Sequence, residues 1–327
     1  MSMAMALSSR KSGAAADVEA EREGTKALAA PPRRRGMFAH GSAIWGAALT
    51  ALVLLLVAAG PFVAPNSPID FIGEPFEGPS SYAWLGTDAV GRDVLSRVLC
   101  GGGVILSLSA LATILGVAAG GLLGICAGYL KGLTDDVTMR LLDVLLAFPQ
   151  TILALLFVSV LGSSFWLIAI LVAAIHAPQV ARVIRAATLR VAGEDFVKFA
   201  RGIGMPQPRI MAMEILPNVL VPFLVEGGLR FTYSIALIAG LSFLGLAQEP
   251  PAANWGLMVN ENRIGLLQNP WPVLAPIILI AILTVGVNLL TDAYARHAAG
   301  SNGMARDPQE DDGVDRLPAA GTEGPLP

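Results

Sequence analysis

The chain reads as an all-α membrane protein with six transmembrane helices. Three features carry this. Only 14 % of its 327 residues are charged and 54 % are hydrophobic, whereas an ordinary soluble domain is about a quarter charged. The apolar residues gather in runs of roughly 20, the length that crosses about 30 Å of hydrocarbon. Basic residues are dense in every second connection between those runs, as they are when those connections face the cytosol. The net charge of −3 gives no reason to expect nucleic acid as a partner. The two cysteines, Cys100 and Cys126, lie beside or inside an apolar run and read as small packing residues. His40, His176 and His297 are scattered, and no metal site is read from them.

In chain order, residues 1–40 are rich in Ala, Ser, Arg and Glu with no apolar face, and are expected to be a disordered cytosolic tail. The first span covers about 44–63. It is long and followed by others, so it reads as an uncleaved anchor rather than a signal peptide. Residues 64–100 contain Pro65, Pro68, Pro75 and Pro79 and read as an aqueous loop ending in a short amphipathic segment. In the second span, about 104–129, Gly116, Gly120, Gly124 and Gly128 recur every four residues, with Gly132 continuing the period. That repeat puts glycines on one helix face, where another backbone approaches closely. The third span covers 141–161 and the fourth 165–183, with Pro149 and Pro178 expected to kink them.

A long polar connection, 184–217, precedes the fifth span at 219–246. An external loop with Pro250, Pro251 and Trp255 leads to the sixth at 273–293. The expected permease domain is 41–297, and 298–327 is expected to be a disordered, acidic tail with Asp311, Asp312 and Asp315. Six spans put both termini on one side. Arg33, Arg34, Arg35, Lys131, Arg140, Arg182, Arg185, Arg190, Lys198, Arg201, Arg209 and Arg296 fall on that side, against Arg92, Arg97 and Arg263 on the other. Both termini are therefore expected in the cytosol.

The stretch 190–217 carries the most specific pattern. Phe196, Phe199, Ala200 and Ile203 fall at i, i+3, i+4 and i+7, one apolar helix face. Glu194, Lys198 and Arg201 take the other sides. Gly204 is placed to end the helix, Pro206 and Pro208 to turn the chain, and a second short helix at about 209–216 to return before Pro217. A helix–turn–helix of this size does not bury two phenylalanines alone. Its apolar face either docks in a partner's groove or lies on lipid headgroups, and periodicity does not choose between them.

Charges inside the spans point to a substrate path. Glu226 and Arg230 are four apart on the fifth span and share a face; they either line a cavity or neutralise each other at an interface. Asp143 is expected to pair with Arg140 at the membrane edge. Asp88 and Asp93 are expected to cap a short helix and to pair with Arg92 or Arg97. The chain has no Gly-x-x-x-x-Gly-Lys-Ser/Thr phosphate loop, so it is not expected to bind ATP or to act as an enzyme.

The loop with Ala200, Gly204, Ile215, Leu216 and Pro217 resembles the coupling loop of ATP-binding cassette importer permeases. It departs at Lys198 and Phe199, where the family usually has Glu and Ala. Residues 84–97 (Trp-Leu-Gly-Thr-Asp-Ala-Val-Gly-Arg-Asp-Val-Leu-Ser-Arg), 140–149 (Arg-Leu-Leu-Asp-Val-Leu-Leu-Ala-Phe-Pro) and 241–246 (Leu-Ser-Phe-Leu-Gly-Leu) with Trp255-Gly256 resemble the second-type permease of dipeptide, oligopeptide and nickel importers. Ile238 stands where peptide permeases commonly carry an acidic residue. The resemblance spans about 45–295.

The resemblance implies a type I importer permease fold in a bacterial inner membrane. It implies a related second permease, two cytosolic ATPases that bind the ATP and Mg, and an extracytoplasmic substrate-binding protein. It assigns Phe196, Phe199, Ala200, Arg201, Gly204, Leu216 and Pro217 to ATPase coupling. From the charges inside the spans, Glu226 and Arg230, with Ser242, are expected on the translocation path, and from the Asp–Arg pattern Asp88, Arg92 and Asp93 are expected in an external cap. The implied motion is rigid-body rocking of the two permeases around a midplane cavity. Di- or oligopeptides are the expected cargo. Nickel or another small solute is the alternative within the class, although metal passage would favour His or carboxylate clusters in the spans and only His176 is available there. An ion-coupled secondary transporter is the alternative outside it, and would show inverted repeats with broken helices.

Overall fold

The computed structural model describes residues 41–247 and 252–303. The arginine cluster at 33–35, the tail 1–40, the Pro250-Pro251 turn and the acidic run beyond 303 lie outside the described residues. The helices are α1 (Gly41–Val63), α2 (Val94–Leu130), α3 (Gly132–Leu146), α4 (Gln150–Leu161), α5 (Phe165–Val191), α6 (Asp195–Gly202), α7 (Gln207–Ile210), α8 (Leu216–Asn218), α9 (Leu220–Phe243), α10 (Trp255–Asn262) and α11 (Trp271–Gly303). No strand forms among the described residues, only the isolated bridges Phe71 with Arg92 and Thr87 with Asp93. Five helices, α1, α2, α5, α9 and α11, are long and apolar enough to cross a bilayer, and α3 with α4 forms a bent pair that is long and apolar enough only when the two are taken together.

That break corrects the expected third span. A single kinked helix over 141–161 does not form; α3 and α4 meet at 81°. Pro149 is not inside a helix but is the residue before α4, at φ −59° and ψ 124°. Proline drives the residue before it out of the α region, so one helix stops at Leu146, short of Phe148, and the next starts at Gln150. Pro178, by contrast, lies within an unbroken α5, as membrane helices tolerate where neighbours enclose them.

The expected amphipathic segment at 84–97 is also corrected. Its last residues are the first turn of α2, which begins at Val94. The Asp93 carboxylate accepts from the amides of Leu95 and Ser96, satisfying two donors that a helix start otherwise leaves free. At the far end, α11 runs on to Gly303, into the stretch expected to be disordered from 298. Adding residues to an existing helix costs little once it is nucleated.

The glycine repeat joins α2 to α5. A Cβ on Gly116, Gly120, Gly124 or Gly128 would lie 3.0, 2.4, 2.6 or 2.9 Å from the carbonyl oxygens of Ala173, Ala177, Ala181 and Arg185. The two backbones are in direct contact at four positions, over about three helical turns. Gly132 is not a fifth rung: it has φ +60°, meets nothing within 4 Å and starts α3. One apolar core holds Ile105, Leu108, Val172, Ile235, Ile238 and Leu283. A second, where α2, α5 and the 190–217 loop meet, holds Ile125, Ile184, Val197, Ile210 and Ile215.

Candidate functional site

Three zones collect the residues singled out by sequence. In the loop, α6 forms over Asp195–Gly202, α7 follows Pro206, and a π-helical turn, Met211–Ile215, leads through α8 into α9. The expected single apolar face is divided. Val197 and Ala200 turn inward and are buried in the second core. Phe196, Phe199 and Ile203 turn outward, 41, 70 and 61 % exposed. Ala200 therefore anchors the helix rather than presenting it. The structure also places Arg201 against the protein. Its guanidinium stacks on Tyr129 at 4.4 Å and donates to the Tyr129 hydroxyl at 3.2 Å, tying α6 to the end of α2. Leu216 packs on the second core and Pro217 is exposed.

Gly204 has φ +79° with open space around it, a conformation that L-residues adopt only at a cost. The Lys198 ammonium donates to Asp195 at 2.8 Å, and that bond and its charge hold the Asp195 carboxyl below the usual carboxylate range.

The second zone lies before α2. Asp88 pairs with Arg92 at 2.7 Å and with Arg97 at 3.3 Å. Both arginines also reach Glu261 on α10, at 3.0 and 2.9 Å. Asp88 and Arg97 are fully buried. Asp93 does not pair with an arginine; it caps α2 and takes the Ser96 hydroxyl and the Asn66 amide at 3.1 Å. Sequence reading missed Glu261, Asn262, whose side chain accepts from the Ala89 amide at 2.8 Å, and Asn269. The buried Asn269 amide is shared among the carbonyls of Glu77, Leu85 and Thr87 at 3.1–3.2 Å. The Trp255 indole donates to the Val98 carbonyl at 2.8 Å. No local signal in the sequence marks these residues, because each partner is more than a hundred positions away.

The third zone is inside the spans. Glu226 and Arg230 are paired at 3.1 Å, both buried. Arg230 also donates to Gln179 of α5 and sits 5.0 Å above the Tyr233 ring. Thr113 and Ser234 are hydrogen-bonded at 3.2 Å, and Thr232 donates to Asn288 at 3.0 Å, so α9 is fixed by polar contacts to α2, α5 and α11. Ser242 is elsewhere: it is buried where Gly256 of α10 presses against α9, and does not line the nearby cavity of about 410 Å³. Asp143 pairs with Arg182 rather than Arg140, because α3 is turned toward α5 by the break at Pro149.

Residues 120–299 match the family described as binding-protein-dependent transport system inner membrane component. A glutathione transport system permease protein, GsiD, of Escherichia coli is 38 % identical over 249 residues, 75 % of this chain and 82 % of that protein. GsiD of Pectobacterium atrosepticum is 37 % identical over 216 residues, 66 and 72 % of the two chains. A dipeptide transport system permease protein, DppC, of Alkalihalophilus pseudofirmus is 32 % identical over 244 residues, 75 and 80 %.

Proposed function

The chain belongs to the inner membrane components of binding-protein-dependent transport systems, and on that premise we propose that it forms half of the pathway of an ATP-driven importer of short peptides. Membership makes it a membrane permease subunit that works with a substrate-binding protein and an ATPase. The relatives named for glutathione and dipeptide transport support peptides as cargo. A second, related permease completes the path, and two ATPases dock from the cytosol.

The observation that carries this reading is the outward face of α6. Phe196, Phe199 and Ile203 are exposed on a helix whose other side is anchored by Val197, Ala200 and Arg201. A rigid helix presenting aromatic side chains fits a partner's groove and transmits force to the spans it joins, α5 and α9. Termini on the cytosolic side put this face where an ATPase is. Of the three arginines left outside, Arg92 and Arg97 are matched by Asp88 and Glu261, which leaves Arg263 alone against that orientation.

Purification of the tagged subunit in mild detergent, followed by mass spectrometry, tests the reading. A second permease and ATPase subunits should come with it. A chain recovered alone and still active in peptide uptake would overturn it.

A further inference from the structure

The break between α3 and α4 leaves a helix start, at Gln150 and Thr151, on the wall of a cavity. No side chain caps α4. Its first-turn bonds begin with the amides of Ile152 and Leu153, both donating to the Pro149 carbonyl, so the amides of Gln150 and Thr151 have no partner within the helix. A helix start carries partial positive charge. In membrane transporters, half-helix N-termini of this kind point at anionic groups of the substrate.

A second observation points to the same ligand. Gln150 and Thr151 line the cavity of about 410 Å³ together with His176 and Tyr233. His176 is 1 % exposed, and neither of its ring nitrogens has a hydrogen-bond partner. A buried imidazole without a partner is costly unless something supplies one, and a neutral imidazole offers one N–H donor. Arg230 flanks the site: its guanidinium sits over the Tyr233 ring at 5.0 Å and bonds Gln179, three residues beyond His176 on the same helix face. Glu226 balances the Arg230 charge, so the site attracts an anion without trapping it.

We propose that this cavity is a subsite for the carboxylate of the transported molecule, held by the His176 ring and the free amides of Gln150 and Thr151. The inference rests on the importer reading and deepens it: the cargo carries a carboxylate, and this subunit contacts it during passage.

The test uses the complete transporter in lipid nanodiscs, with histidine rings labelled with ¹⁵N and trialanine labelled with ¹³C at its carboxylate. A ¹³C–¹⁵N dipolar contact in the loaded complex, lost in His176→Gln, is expected. In uptake assays His176→Leu, which has no donor, should lower kcat/KM for trialanine relative to its C-terminal amide by about ten-fold, the worth of one hydrogen bond to a charged group. A complex that transports trialanine without the contact, or a variant that affects both peptides equally, overturns the subsite alone. A complex that imports no peptide removes the importer reading, and the subsite with it.

Discussion

Arg97 has no exposed surface and two acidic partners, Asp88 and Glu261. Removing one member of a buried ion cluster leaves the others without compensation, at a cost of about 3–5 kcal/mol. Arg97→Ala should therefore lower the thermal midpoint of the detergent-solubilised subunit sharply. Arg97→Lys should recover only part of it, because an ammonium does not reproduce the guanidinium fork. An unchanged midpoint for Arg97→Ala would show that the cluster holds nothing. Arg230 is tested by function: Arg230→Ala should change transport rate or substrate range, and unaltered uptake of every substrate tried would remove Arg230 from the path. Three of the four members of this cluster were legible, since Asp88, Arg92 and Arg97 lie within ten positions. Glu261 was not, because pairing across 164 positions leaves no periodic trace.

At the scale of elements, the glycines of α2 are not equivalent. Gly120→Ala puts a methyl group 2.4 Å from the Ala177 oxygen and must push α5 away, an overpacking cost of about 1–3 kcal/mol. Gly103, on the same helix, meets nothing within 4 Å, and Gly103→Ala should be neutral or stabilising by up to about 1 kcal/mol. Differential scanning fluorimetry of the two variants side by side checks the ranking; equal shifts would contradict the backbone contact. The ladder was readable because a four-residue period is itself helical geometry. The break at Pro149 was not, because an apolar run looks the same whether one helix or two cross it. The same run hid Gly132, whose position continues the period while its φ of +60° leaves the helix.

For the whole molecule, the proposed docking of an ATPase on α6 sets the test. Gly204→Trp forces a bulky L-residue into left-handed backbone, and Phe199→Asp puts charge in the centre of the exposed face of α6. Both should abolish recovery of the ATPase with the subunit while membrane insertion stays normal. Normal co-purification of both variants would sink the docking assignment. Opposed labelling supplies the orientation: a cysteine at Lys198 should react with an impermeant maleimide only from the cytosolic side, and one at Trp84 only from outside. The face was visible in sequence as a spacing of phenylalanines. Its division was not, because Val197 and Ala200 are drawn inward by Ile210 and Ile215, which the chain reaches only after the turn.

The shared grip of Arg92 and Arg97 on Glu261 also has a history written into it. When α2 enters the bilayer, Asp88 is already made and Glu261 is not: 164 positions separate it from Arg97. At about 5–20 residues per second of synthesis, the ribosome needs roughly ten to thirty seconds to deliver it. For that interval Arg92 and Arg97 share the single Asp88 carboxylate, since Asp93 is engaged in capping α2, and Glu261 on α10 later supplies a second partner. Completion of this ion cluster is thus a late event of biogenesis, because it waits for α10.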